Sequence, residues 1–149
     1  MEKLSPKAQG NLGEAAALKE LLKHDLIVCP PYGDNAPYDY IVDNKRGSLF
    51  KVQVKSSSQY ENGAIEFKTG RDRLNTKGNY HVNYQQNDVD IFILYNVILD
   101  ELYLISFTEA GSCGTSIRVD PPKRTGGSIK SKMRQDYLFE KRYKEAFKL

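Results

Sequence analysis

The chain has 149 residues, of which 40% are hydrophobic and 28% charged, with a formal net charge of +3. That is room for one compact α/β domain and crowded for two. No apolar run approaches the roughly 20 residues that cross a bilayer. Residues 1–7 lack the apolar stretch of a signal peptide, so a cytoplasmic protein with no membrane partner is expected.

The charge is unevenly placed. Residues 118–149 hold ten Lys/Arg against four Asp/Glu, a net +6, while the rest of the chain is at −3. A basic end on a nearly neutral body suits a polyanion, and a solvated charged helix would look alike. The two cysteines, Cys29 and Cys113, have no second cysteine at metal-binding spacing. They read as buried or half-buried free thiols.

In chain order, residues 8–24 read as a helix. Leu12, Ala16, Leu18, Leu21 and Leu22 recur at helical spacing, and Asn11 is a candidate cap. Leu26-Ile27-Val28 is a short apolar run stopped by Pro30-Pro31. After a loop over 33–37, Tyr38–Val42 reads as a strand, residues 43–47 as a turn, and Leu49–Lys55 as the second arm of a hairpin. Ala64–Lys68 reads as a third strand, with Ile65 and Phe67 on one face. Residues 69–88 are polar and show no period, so an irregular and functional segment is expected. Val89–Val97 is apolar enough for a central strand, and Glu101–Ser106 pairs with it. Ile117–Val119 reads as a short strand. A basic helical segment at about 128–149 closes the chain, with Tyr137, Leu138, Tyr143 and Phe147 as its apolar contacts.

The strand Phe50-Lys51-Val52-Gln53-Val54-Lys55 alternates, with Phe50, Val52 and Val54 facing a core and Lys51, Gln53 and Lys55 facing away. Such a lysine-rich face commonly meets solvent. Asp39 changes the reading. A carboxylate inside an apolar strand is costly without a partner, and across a hairpin it can share a side with Gln53 and Lys55. Glu14 is the third piece, with Ala17, Leu18 and Leu21 three, four and seven residues beyond it. It reads either as a first-turn carboxylate favoured by the helix dipole or as a group aimed at a site.

The order Gly13-Glu14-Ala15-Ala16, then Pro31-Tyr32-Gly33-Asp34-Asn35-Ala36-Pro37-Tyr38-Asp39, then Phe50-Lys51-Val52-Gln53-Val54-Lys55-Ser56 resembles the PD-(D/E)XK nucleases. Within them it is most like the homing endonucleases encoded by group I introns. Asp90–Tyr95 and Leu102–Ile105 extend the likeness over most of the chain. The resemblance implies a single domain over 1–149 with a restriction-endonuclease-like α/β core, a central mixed β-sheet flanked by helices. It implies a sequence-specific endonuclease acting on double-stranded DNA with Mg²⁺, one or two ions per site, and no small-molecule cofactor. Asp39, Glu14, Gln53 and the Val54 carbonyl would hold the metal, and Glu14, Asp39, Gln53 and Lys55 would be catalytic. Gln53 departs from the superfamily's usual acid, which lowers the site's formal charge and puts a second ion in doubt.

DNA contact is expected from Lys68, Arg71, Arg73 and Lys77, extending to His81 and Tyr84, and from Lys123, Arg124, Lys130, Lys132 and Arg134. A long target implies a homo-oligomer, a dimer or a tetramer, with the last helix as a candidate interface. Two rival readings keep their place. One is a Holliday-junction resolvase or restriction-type nuclease of the same fold. The other is a catalytically silent DNA-binding module.

Overall fold

Ser5 and Pro6 start the first helix. In the computed structural model, which describes residues 2–121 and 131–149 without the side chains of 73–75, α1 spans Pro6–Lys23. The Ser5 hydroxyl accepts the Ala8 N–H at 3.2 Å, and Pro6 sits where the helix needs no donor. Asn11, expected as the cap, lies inside the helix. The buried face is Gly13, Ala17 and Leu21, so Glu14 borders the apolar stripe and does not lead it.

The strands follow in chain order: β1 (Ile27–Cys29), β2 (Tyr40–Asp43), β3 (Leu49–Ser57), β4 (Tyr60–Glu61), β5 (Ala64–Lys68), β6 (Arg71–Asn75), β7 (Gly78–Val82), β8 (Ile91–Asn96), β9 (Glu101–Ser106) and β10 (Gly114–Arg118). Helices α2 (Arg134–Tyr137) and α3 (Phe139–Ala146) come last. The central sheet runs β1-β2-β3-β8-β9. Its pairings are antiparallel except β3 with β8, so the sheet is mixed, as expected.

All six residues of β8 are buried, because both faces of the sheet are covered. Ile91, Ile93 and Tyr95 join a core with Ala17 and Leu21 of α1 and with Phe139 and Phe147. Phe92 and Leu94 join a second core with Ile65 and Phe67 of β5, Ile117 of β10 and Tyr84. One face thus carries helices and the other a small sheet, β10-β5-β4.

Three expectations change. Residues 69–88 are not irregular throughout, for β6 and β7 pair there as a separate two-stranded hairpin. Most of β7 is exposed, and an exposed hairpin needs no apolar alternation. The closing helix is broken at Leu138, whose extended backbone bridges to Tyr103 of β9. The break sends Tyr137 and Leu138 to one core and Phe139 to the other, so these side chains pack within their own chain. Cys29 and Cys113 are free but exposed, not buried.

Candidate active site

Asp39 stands one residue before β2, not inside it. Its backbone N–H still donates to the Val52 carbonyl at 2.9 Å. Its Oδ2 then accepts the Val54 N–H at 2.8 Å. The carboxylate replaces the backbone carbonyl that β2 would have offered had it reached further back. This explains why an aspartate is stable at the mouth of an apolar hairpin. Burial raises the Asp39 carboxyl above its ordinary range, and the bond from Val54 and the nearby Lys55 ammonium offset part of that rise.

Side-chain alternation along β3 delivers the other groups. Phe50, Val52 and Val54 are buried, while Lys51, Gln53 and Lys55 are half-buried on the opposite side. Gln53 Nε2 donates to the Val54 carbonyl at 3.3 Å. Lys55 Nζ donates to the Gly70 carbonyl at 2.9 Å and lies 5.2 Å from the centre of the Tyr84 ring. Burial lowers the Lys55 pKa; Asp39 opposes the shift, Arg71 adds to it, and Asp72 opposes it.

Glu14 reaches the site through helix packing. A Cβ on Gly13 would lie 1.9 Å from Ser56 Oγ and 3.2 Å from Tyr95 Cβ. A residue without a side chain is what lets α1 lie flush on β3 and β8. The Tyr40 hydroxyl donates to the Glu14 carbonyl at 3.2 Å and fixes the same turn to β2. The Glu14 side chain is exposed, yet the protein behind it removes enough water to raise its carboxyl, and the Asp39 charge raises it further.

Asp39, Gln53 and Lys55 line a single cleft of about 660 Å³, together with Lys68, Arg71 and Tyr84. Glu14 is not part of that wall and meets the site through its field on Asp39. Of the residues expected to contact DNA, Lys68, Arg71 and Tyr84 line this cleft. Lys77 is exposed between β6 and β7. Arg73 is on β6, with its side chain outside the described residues, as are Lys123, Arg124 and Lys130 entirely. Lys132 and Arg134 do not line the cleft. Arg134 is committed to a two-pronged ion pair with Glu101. His81 is exposed and pairs through Nδ1 with Asp72 at 3.3 Å, which fits a structural role.

Sequence reading passed over two residues. Gly13 carried a signal, since a glycine inside a helix costs up to about 1 kcal/mol and needs a reason. Glu66 also lines the cleft. Placing Ile65 and Phe67 on one face of β5 already put Glu66 and Lys68 on the other.

A central mixed sheet flanked by helices, with a carboxylate just ahead of one strand and a lysine on its neighbour, places the chain in the class of the restriction-endonuclease-like nucleases. The PD-(D/E)XK endonuclease family matches residues 4–139, and the chain belongs to that family. Among solved structures it is similar to a bacterial homing endonuclease, I-Ssp6803I. The two share 27% identity over 98% of this chain and 99% of that one, with a TM-score of 0.70. Direct comparison with curated protein sequences finds no match.

Proposed function

We propose that this chain is a Mg²⁺-dependent endonuclease that hydrolyses phosphodiester bonds at a specific site in duplex DNA, as a homing enzyme does, with 1–149 as one nuclease domain. The observation that carries the reading is the convergence of Asp39, Gln53 and Lys55 in one cleft with Lys68 and Arg71. Carboxylate, amide and ammonium serve the hydrolytic chemistry, and the two further cations suit phosphates.

The residues fit a divalent cation. Glu14 and Asp39 are both raised by burial, so their ionised forms want more positive charge than the chain places beside them. The available donors are carboxylate, amide and main-chain oxygens, the hard ligands Mg²⁺ prefers. Asp39 Oδ2 is engaged by Val54 N–H, which leaves Oδ1 for the metal. Gln53, with its amide oxygen turned inward, and the Val54 carbonyl would complete the set, with Glu14 assisting through a water. The chemistry such an ion would supply there is a lowered pKa for a water and polarisation of the phosphate. Two formal negative charges favour one ion over two.

Lys55 would place an N–H on the phosphate oxygen where negative charge develops. Its lowered pKa runs in the direction that proton transfer also requires. Lys68 and Arg71 hold phosphates near this point, and the hairpin that follows carries further contacts. A long target cut on both strands calls for at least two copies of the chain, a dimer or a tetramer.

A Mg²⁺-dependent plasmid-nicking assay tests the core of the proposal. Lys55→Ala should slow cleavage roughly 10²- to 10³-fold, and Asp39→Asn at least as much, with DNA affinity retained. Equal loss of binding and cleavage would mean these residues hold the fold. Cutting of four-way junctions regardless of sequence, with long linear duplex left intact, would replace the homing reading by a resolvase.

A further inference from the structure

The hairpin β6–β7 forms a sheet of its own, yet both of its roots return to one atom. Gly70, immediately before β6, is buried, and its carbonyl accepts from Lys55 Nζ at 2.9 Å. Tyr84, two residues after β7, turns its ring face toward the same nitrogen, 5.2 Å from the ring centre. The Arg71 guanidinium is 6.0 Å from that ring.

The ring is a fixed surface. Tyr84 is 9% exposed and meets Phe92 of β8 edge to face, with centroids 5.5 Å apart. The other root is filled as closely, for the His81 ring occupies the space a Cβ on Gly70 would need, 1.9 Å away. His81 also pairs with Asp72 on the facing strand, which ties the two arms together just above the roots.

We infer that the base of this hairpin is a clamp on Lys55, with Tyr84 as a positioning residue whose ring face, together with the Gly70 carbonyl, fixes the ammonium beside Asp39. The inference rests on the nuclease reading given above and deepens it. An ammonium has three N–H donors. One is taken by Gly70, and a second is held over the negative face of the ring. The third is left for the cleft, where the phosphate oxygen would lie. The ring also lets two cations, Lys55 and Arg71, share one wall, because its face attracts both. On the nuclease reading the exposed arm would lie against the DNA, and it is thereby joined to the group that would act on the phosphate, so that seating of the arm would set the position of Lys55.

The test uses the full chain with Mg²⁺ and duplex substrate under single-turnover conditions, with affinity measured separately without divalent metal. Tyr84→Phe keeps the ring and should cleave within about twofold of the parent, while Tyr84→Leu should fall about 10- to 100-fold with affinity within about threefold. A Leu variant that cleaves like the parent would overturn the clamp. So would a Phe variant that falls as far as Leu, since the hydroxyl would then be the active feature. A second measurement needs no variant and no cleavage. In NMR spectra of the unaltered protein, the Lys55 ε-methylene protons should be shifted upfield by the ring current of Tyr84, and their appearance at ordinary lysine positions would overturn the clamp. If the unaltered protein cuts no DNA, the nuclease reading fails while the proton shift still decides the clamp.

Discussion

Asp39 in the cleft and Glu14, whose field reaches it, are carboxylates whose ionised forms are disfavoured by burial. Glu101 of β9 and Glu109, three residues beyond its end, are carboxylates held below the ordinary range. For Glu101 the leading cause is the bond from Arg134. For Glu109 burial pushes upward and is outweighed by bonds from Arg142 and Ser106. The same residue type is thus arranged in two ways. Where charge holds the fold, each carboxylate has a guanidinium. At the cleft the cation that acts on Asp39 is a lysine already shared with a carbonyl and a ring. Negative charge left uncompensated in the folded chain marks a place that a cation would stabilise.

The two sites should answer with opposite signs in stability when their charges are removed. Arg142 donates to the Leu104 carbonyl at 2.6 Å and to both Glu109 oxygens at 2.9 and 3.0 Å, and it lies 4.5 Å from the Tyr137 ring centre. Arg142→Ala strands these acceptors and should cost on the order of 1–3 kcal/mol, read by urea denaturation. Asp39→Asn keeps an oxygen for the Val54 N–H and removes a disfavoured charge. In metal-free buffer at neutral pH it should raise the melting temperature. A lower melting temperature for Asp39→Asn would erase the distinction between the two sites.

The sequence carried part of this contrast and hid the rest. Strand alternation placed Gln53 and Lys55 together, because β3 is buried on one side and needs only its own period to be read. Asp39 was legible as a misplaced carboxylate. Its actual role, continuing the β2–β3 ladder with a side chain, depends on where β2 stops, and no local pattern reports that. The surplus of basic residues in 118–149 was visible, but composition cannot say that Arg134 and Arg142 are already committed to Glu101 and Glu109. Those partners are 33 residues away in each case. The β6–β7 hairpin left no period because its face is solvent, and the break at Leu138 answers to a bridge with Tyr103, a distant neighbour in the chain.

Acid sharpens the same contrast by a smaller amount. Glu101 and Glu109 are lowered from 4.5, so the stability they contribute is complete above about that pH. It is lost as pH falls through their depressed folded-state values. Glu14 and Asp39 are raised, so their ionisation weakens the fold as pH rises through their folded-state range, and acid relieves that cost. Melting temperature measured from pH 6 downward should therefore fall more steeply at first in Asp39→Asn, which has lost the relief. It should fall less steeply at the acid end in Arg142→Ala, which has lost the pair. Identical profiles for the parent and both variants would show that neither set of carboxylates is coupled to folding.

The smallest effect concerns how Glu14 is delivered to the cleft. Gly10 and Gly13 lie one turn apart in α1, and replacing a mid-helix glycine by alanine ordinarily gains about 0.5–1 kcal/mol. At Gly10 nothing lies within 4 Å of the added Cβ, so Gly10→Ala should show that gain. At Gly13 the same atom meets Ser56 Oγ at 1.9 Å, and Ser56 belongs to the strand that carries Lys55. The helix must lift from the sheet. Overpacking of this kind costs about 1–3 kcal/mol, so the helix gain is cancelled or reversed, and Glu14 moves away from Asp39. Chemical denaturation should show Gly10→Ala stabilised and Gly13→Ala unchanged or destabilised, with cleavage reduced only in Gly13→Ala. Equal stabilisation by both would mean that α1 is free to ride above β3, and the carboxylate side of the cleft would then owe nothing to this contact.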